Sequence, residues 1–438
     1  MLFAALGDDI LLNILALGDI HTVLAVSAID KRLHDLTQAK QLWLSLIQNR
    51  MFRHALNLPP PNTDELQSLS TGELVGLVKR AVIGPQARKP TYTITFDTGL
   101  GHLQDSHLLR DPLLRDPHLL PGARYIVSGT LAKEDLCMFD VWSGRLVWSF
   151  AKKNHHVYWA VDLVPGGGTA RVVVALLTDF LENGCSIHVE EIDLTTSASR
   201  EVFDLGHPTR LSSILAIVGD FFLYSLISSP VRRDALVLVN WRASTYVALN
   251  YGTQTSSDVA LIPGYIIATH SDSASPRRRL LTVTSFDAFA PHWKPLEAGI
   301  DFSDQLFPNT IPVTTRTRQE YHGLPLGNSK YDYVRLCITP NAVYQGSYSI
   351  VTLLCKLPNG GSPTLAALAG ALFLRRPLAD FLRFVELTYS WRPPPVPGQA
   401  CSLRFVSSQI STCAPSVTRI QRAVATEQKG SFTVWYYQ

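Results

Sequence analysis

The chain has 438 residues, with 39 Lys and Arg against 36 Asp and Glu, a net charge of +3, 17% charged residues and 46% apolar ones. That composition excludes a disordered chain, and so small a charge gives no case for nucleic acid or a membrane surface as partner. The length leaves room for two or three domains.

The first residues are apolar but lack a basic stretch, and Asp8-Asp9 interrupt them, so a signal peptide is not expected. Asp8 or Asp9 is placed to cap a helix in which Ile10, Leu11, Ile14 and Leu15 fall at helical spacing, with Gly18 as its left-handed stop. Asp19 is placed to cap a second helix with Val23, Leu24 and Val26. Ile29, Leu33 and Leu36 mark a third, and Leu42, Trp43, Leu46 and Ile47 a fourth. Four short helices cannot bury all these faces against one another. Leu11 and Leu12 beside Ile10 make the first helix apolar nearly all round, so it needs a second apolar partner. That partner is either another protein or the rest of this chain, with the helices as a lid. Near Arg50 the helical module gives way to a stiff break at Leu58-Pro-Pro-Pro61. Ser70 and Glu73 then form a capping box for one more helix, with Leu74, Leu77, Val78 and Ala81 on one face and Gly84-Pro85 as its stop.

Four blocks in this region agree in order and spacing with a known pattern: Leu6 to Leu15, Val23 to Ser27, Lys31 to Leu36, and Leu42-Trp43. The stretch resembles an F-box. Gly7 departs from it where a proline is usual, and Asp30 where a cysteine or small residue is common. The resemblance implies docking to the Skp-type linker subunit of a cullin-RING ubiquitin ligase. It assigns the contact to Leu6, Ile10, Leu11, Ile14 and Leu15, then to Val23, Leu24, Val26, Lys31 and Leu33. Trp43 would hold the last helix in place, and Lys31 and Arg32 would sit at the rim.

From Thr91 the period changes from helix to strand: TYTITF, RYIVSG, RVVVALLTD, CSIHVEEID, DFFLYSLIS, ALVLVNW and YIIATH are β-branched or aromatic runs between turn residues. Asp140, Asp193, Asn240 and Asp287 each close a strand and stand 53, 47 and 47 residues apart. Their side chains are suited to bond the backbone ahead and turn the chain. A unit of about 50 residues with roughly four strands is the size of a propeller blade. The pattern resembles diverged WD-repeat-like blades, although no Trp-Asp dipeptide occurs and only Gly101-His102 and Gly206-His207 match the other half of that motif. A β-sandwich or barrel is the alternative. Beyond residue 295, strands are expected at Leu336 to Thr339, Ile350 to Cys355, Phe381 to Tyr389, Cys401 to Ser407 and Ser431 to Tyr437, with a loop at Trp391-Arg-Pro-Pro-Pro395. The expected organisation is an F-box domain at 1–50, a helical linker at 51–90 and a degenerate β-propeller at 91–438.

No nucleophile elbow, phosphate loop or zinc-protease motif occurs. Gly166 to Gly168 lie between strands with no helix behind them, which makes a hairpin turn. Glu190 and Glu191 are neighbours on a strand and point to opposite faces, so they make no catalytic pair. His155-His156 are expected to be exposed. Six cysteines (Cys137, Cys185, Cys337, Cys355, Cys401, Cys413) show no metal-binding spacing and read as reduced thiols of a cytoplasmic or nuclear protein. The longest uncharged apolar run, Leu365 to Leu374, is well short of the ~20 residues that span a bilayer. No cofactor or metal is expected. Arg232, Arg233, Arg277, Arg278 and Arg279, between consecutive strands, are the candidate contacts for an acidic cargo protein. Two classes compete: an adaptor that brings a target protein to a ubiquitin ligase or serves as a plain scaffold, and a propeller enzyme with a helical lid.

Overall fold

The computed structural model describes residues 6–83, 90–97, 118–129, 135–152, 155–164, 167–177, 185–206, 211–228, 233–250, 258–271, 278–297, 315–320, 333–356, 383–394, 401–411, 423–428 and 431–436. Gly84-Pro85, Gly101-His102, Gly166, His207, Arg232, Arg277, the run 365–374, Pro395, Cys413 and Tyr437 lie outside them.

Capping residues decide where the helices begin. α1 (Asp8–Ala16) opens at Gly7, and neither Asp8 nor Asp9 caps it; both sit in the first turn, where carboxylates face the free N–H groups. Gly18 is not left-handed, because Leu17 closes the helix with right-handed angles. α2 (Ile20–Ser27) starts at Asp19, which accepts from the Thr22 N–H at 2.7 Å. α3 (Lys31–Thr37) starts at Asp30, which accepts from the Leu33 N–H at 2.8 Å. Asp30, one of the two residues that depart from the F-box pattern, thus has a structural duty. α4 (Lys40–Gln48) buries Leu42, Trp43, Leu46 and Ile47. The Trp43 indole N–H donates to the Thr37 carbonyl at 2.8 Å, which fastens α4 to the end of α3.

Three more helices follow: α5 (Arg50–Leu56), α6 (Thr63–Ser68) and α7 (Thr71–Ile83). Ser70 and Glu73 bond each other's backbone N–H, at 2.8 and 3.3 Å, and start α7 as the sequence indicates. Leu74, Val78 and Ala81 join the same buried cluster as Leu15, Val23 and Trp43. That core passes Arg50 without a break, so α1 to α7 pack as one unit.

Beyond residue 90 the described residues are strands, apart from one 3-10 helix. β1 (Tyr92–Asp97) leads. β2 (His118–Leu119), β3 (Tyr125–Gly129), β4 (Asp135–Asp140) and β5 (Arg145–Ala151) make one sheet in chain order. β6 (His156–Leu163), β7 (Thr169–Leu177), β8 (Cys185–Asp193) and β9 (Ser199–Gly206) make the next. β10 (Leu211–Val218), β11 (Phe221–Ser228), β12 (Arg233–Asn240) and β13 (Thr245–Asn250) follow. Then come β14 (Asp258–Ile262), β15 (Tyr265–Ser271) and β16 (Arg278–Ser285). β17 (Lys294–Pro295) leaves to pair with β13, and β18 (Thr315–Glu320) completes the sheet of β16. β19 (Tyr333–Pro340), β20 (Tyr348–Lys356), β21 (Arg383–Arg392) and β22 (Ser402–Ser411) form the fifth sheet. In the sixth, β23 (Ala423–Gln428) and β24 (Ser431–Tyr436) pair with β1, Tyr92 facing Tyr436 and Asp97 facing Ser431.

These antiparallel sheets meet through their first strands: β23 touches β2, β6 touches β10, β10 touches β14, and β14 touches β19. His118 in β2 meets Trp159 in β6 edge-on, 5.9 Å between ring centres. Apolar clusters fill the space between each sheet and the next from the first to the fifth, and between the sixth and the first. The large domain is therefore all-β and propeller-like, with the start of the β region stitched to its end by β1 and β24.

The repeated turns hold in three places. Asp140, Asp193 and Asn240 end the third strand of their sheets and accept from the N–H groups of Trp142 (3.0 Å), Thr195 (2.8 Å) and Ala243 (3.0 Å). Asp287 also follows a third strand, but inside the 3-10 helix Phe286–His292, where Ser285 does the capping by accepting from the Asp287 N–H at 3.2 Å. The fourth copy keeps the place and loses the bond. Trp391, expected in a loop, lies in β21 and is buried against Tyr265 and Tyr348.

The β1 pairing carries a testable consequence. Residues 91–438 should melt cooperatively, whereas a chain starting at 98 lacks β1 and uncovers Phe432, Val434 and Tyr436, which are buried with Ile94 and Phe96 packed against their cluster. Thermal melts followed by circular dichroism should show a sharp transition for the first fragment and none, or aggregation, for the second.

Candidate functional site

Two surfaces of the helical unit matter: the side that grips the β-domain and the side that does not. The grip begins at Asp19. One carboxylate oxygen caps α2, and the other accepts from the Gln345 N–H at 3.0 Å. The His21 N–H donates to the Val343 carbonyl at 3.2 Å, and the His21 ring lies 4.4 Å from that of Tyr344. The Arg392 guanidinium sits 3.8 Å from the centre of the Tyr344 ring. A second grip comes from α5. Asn57 closes that helix in the left-handed conformation (φ 49°) and accepts from the Gly122 N–H at 2.7 Å. Gly122 has φ +90°, and a Cβ there would lie 2.6 Å from the His54 ring, so the close approach requires glycine. Arg50 donates to the Gly167 carbonyl.

Gly122, Gly167 and Val343 to Gln345 belong to hairpins β2–β3, β6–β7 and β19–β20, each joining a first strand to a second. The helices therefore cover the face where first hairpins emerge. Because neighbouring strands alternate in direction, second-to-third turns emerge at the other end. Arg233 opens β12, and Arg278 and Arg279 open β16, so these candidate cargo positions stand on the face away from the helices. Arg232 and Arg277 lie outside the described residues.

The other side of the unit is α1. Ile10, Ile14 and Leu17, spaced i, i+4 and i+7, are 51%, 43% and 85% exposed, and Leu24 on α2 is 49% exposed. At about 100° per residue they share a stripe that Leu11 and Leu15 do not. Trp43 lies in the helical unit's own core, and Leu11, Leu15, Val23 and Leu33, assigned above to the partner, are buried inside the chain, Leu15 and Val23 in that same core. Their role is corrected from contact to support. Leu6 and Val26 are half-buried and Lys31 is exposed. Arg32, expected at a rim, pairs with Asp8 at 2.7 Å and donates to the Leu6 carbonyl at 2.9 Å, bracing the start of α1 against α3. Leu17 and Ile29, both exposed, were missed because the F-box blocks skip them. A helical wheel drawn through residue 17 would have found the first.

The strand carboxylates have structural employment. Glu191 pairs with Arg171 at 3.0 Å and Arg200 at 2.8 Å, while Glu190, on the opposite face, accepts from the Trp148 indole at 2.9 Å. Gly167 has φ +59° in its hairpin. Burial pushes the free thiols of Cys137 and Cys185 up, to about 11 and about 12, which leaves both unreactive. No helix among the described residues is long and apolar enough to cross a membrane.

Several solved structures are similar to this chain. The Cps50 (Swd1) β-propeller domain of Myceliophteria thermophila is 9% identical, with a TM-score of 0.32 over 75% of this chain and 99% of that one. The WD40 domain of Toxoplasma gondii coronin is 10% identical, with a TM-score of 0.33 over 81% and 88%. The WD40 domain of SCAP from fission yeast is 12% identical, with a TM-score of 0.28 over 74% and 82%. No protein-family profile and no curated protein matches the sequence.

His54 gives this junction a pH signature. Burial, then the charges of Arg50, Arg124 and Arg53, lower its pKa from 6.5 to about 4. The unfolded chain takes up this proton first, so the stability the neutral ring confers is full above about pH 6.5 and is lost as pH falls towards 4. The melting temperature should drop across that window, and less steeply in His54→Gln.

Proposed function

We propose that this chain is the substrate-recognition adaptor of an SCF-type (Skp-cullin-F-box) ubiquitin ligase. In this reading α1 and α2 dock the Skp-type linker subunit, and the β-domain binds the target protein. The supporting observation is the stripe of Ile10, Ile14 and Leu17 with Leu24 beside it. These residues stay exposed although the helical unit has its own core and already grips the β-domain elsewhere. A pure lid would turn its spare apolar surface inward. The F-box-like order of the four sequence blocks supplies the identity of the partner. The chain itself does no bond chemistry; tethering raises the concentration of the target near the ubiquitin-loaded enzyme. Cargo is read on the face away from the helices, where β12 and β16 begin, by Arg233, Arg278 and Arg279 together with Arg232 and Arg277.

Separate substitutions distinguish docking from support. Ile10→Asp with Ile14→Asp should abolish copurification of the linker subunit, a loss of about a hundredfold or more, and move the melting temperature of the lone chain by under about 2 °C. Leu11→Ala with Leu15→Ala should instead destabilise the chain itself, by about 2–5 kcal/mol per buried leucine. Recovery of the linker subunit unchanged by the aspartates would refute the docking surface. Recovery of that subunit without cullin would assign the chain to a scaffold outside the ligase.

A further inference from the structure

β8 and β9 pair with an irregularity. Val189 faces Phe203, but Glu190 faces Glu201, so Val202 is one residue too many on the β9 side. In an unbroken strand Glu201 and Asp204, three residues apart, would point to opposite faces. The bulge turns both towards His188. Asp204 Oδ1 lies 3.2 Å and Glu201 Oε2 3.4 Å from His188 Nδ1. The ring's other nitrogen, Nε2, is held at 2.9 Å by the Ser186 hydroxyl.

Nδ1 is shut away from solvent and makes no hydrogen bond. The two carboxylate oxygens flank it at ion-pair distance, yet neither is in hydrogen-bonding geometry. A tetrahedral metal ion with N and O ligands at about 2.0–2.2 Å holds neighbouring ligand atoms about 3.3–3.6 Å apart, close to the separations found here. Like charges directly across a strand pair are unfavourable, and Glu190 stands opposite Glu201 with Asp204 nearby. A divalent cation would offset that repulsion.

We propose that His188, Glu201 and Asp204 bind one divalent transition-metal ion, with Zn2+ the best fit. One imidazole with two carboxylates is a mixed set; Mg2+ and Ca2+ favour oxygen ligands throughout. Ser186 supplies the outer hydrogen bond that orients a metal-binding histidine and leaves Nδ1 as the ligand atom. Both carboxylates are over half exposed, at 55% and 53%, so the remaining coordination positions open to water or to a side chain of a bound protein. Among the described residues this is the one such trio of His, Cys, Asp or Glu whose ligand atoms all lie within 4.8 Å of one another. The ion would pin β9, the edge strand of its sheet, to β8 across the bulge.

The test uses the full chain, stripped with a chelator and titrated with ZnCl2 by calorimetry. The expected result is one saturable site per chain, a melting temperature raised by a few degrees at saturation, and no such rise with Mg2+. Glu201→Gln with Asp204→Asn, which keeps side-chain volume, should weaken Zn2+ binding at least about tenfold. X-ray absorption of the Zn2+-loaded wild-type chain should show nitrogen and oxygen ligands only, and it needs no variant to fold. Absence of saturable Zn2+ uptake, full affinity in the double variant, or sulfur ligation would each overturn the proposal.

Discussion

The shared carboxylate of Asp19 is the contact on which the arrangement of this molecule depends. Burial alone would raise its pKa, but bonds from the Thr22 hydroxyl and from the Gln345 and Thr22 N–H groups outweigh that and lower it. The charged form is thus favoured in the folded chain. One oxygen starts α2, the other fixes where α2 meets the β19–β20 hairpin. A helix cap and a domain contact are the same side chain, so losing it would loosen both. Asn57 repeats the device at the other end of the grip, closing α5 and receiving the Gly122 N–H.

The consequence is orientation. The helices are fastened to the hairpins of three sheets, at Gly122, Gly167 and Val343 to Gln345, rather than hung from a tether. α1 keeps Ile10, Ile14 and Leu17 exposed while its unit is held to the first-hairpin face, and the second-to-third turns lie at the opposite end of the strands. The adaptor proposed above needs this property: a partner at one end and a cargo at the other would be held at a set spacing. A flexible joint would spread the cargo over many positions and lower its effective concentration at any one of them.

Much of this was legible in the residues, and the failures have physical causes. Asp19, the Ser70 and Glu73 box, and the α4 set of Leu42, Trp43, Leu46 and Ile47 were readable because caps and helical spacing are local. The strand-closing Asp140, Asp193 and Asn240 were readable for the same reason. Leu11 and Leu15 were assigned to a partner by the F-box resemblance; α1 is apolar on two sides, and only packing decides which side faces in. The first strands of several sheets, such as β2, β6, β10 and β14, escaped notice. They alternate polar and apolar residues, are short, or lack the bounding turns that marked the others. β17 could not be foreseen, since it pairs with a sheet built some fifty residues earlier. The His188 trio was equally hidden: it exists because a bulge at Val202 reverses one side chain, and register is not written in spacing alone.

Hydrogen exchange on the intact chain, with and without a purified Skp-type linker subunit, tests the central claim most directly. The account predicts slowed exchange in residues 8–27, which hold α1 and α2, with residues 120–124 and 341–347 unchanged because the grip on the β-domain stays in place. No added protection in 8–27, or faster exchange in 120–124 and 341–347 as the helices let go, would contradict it.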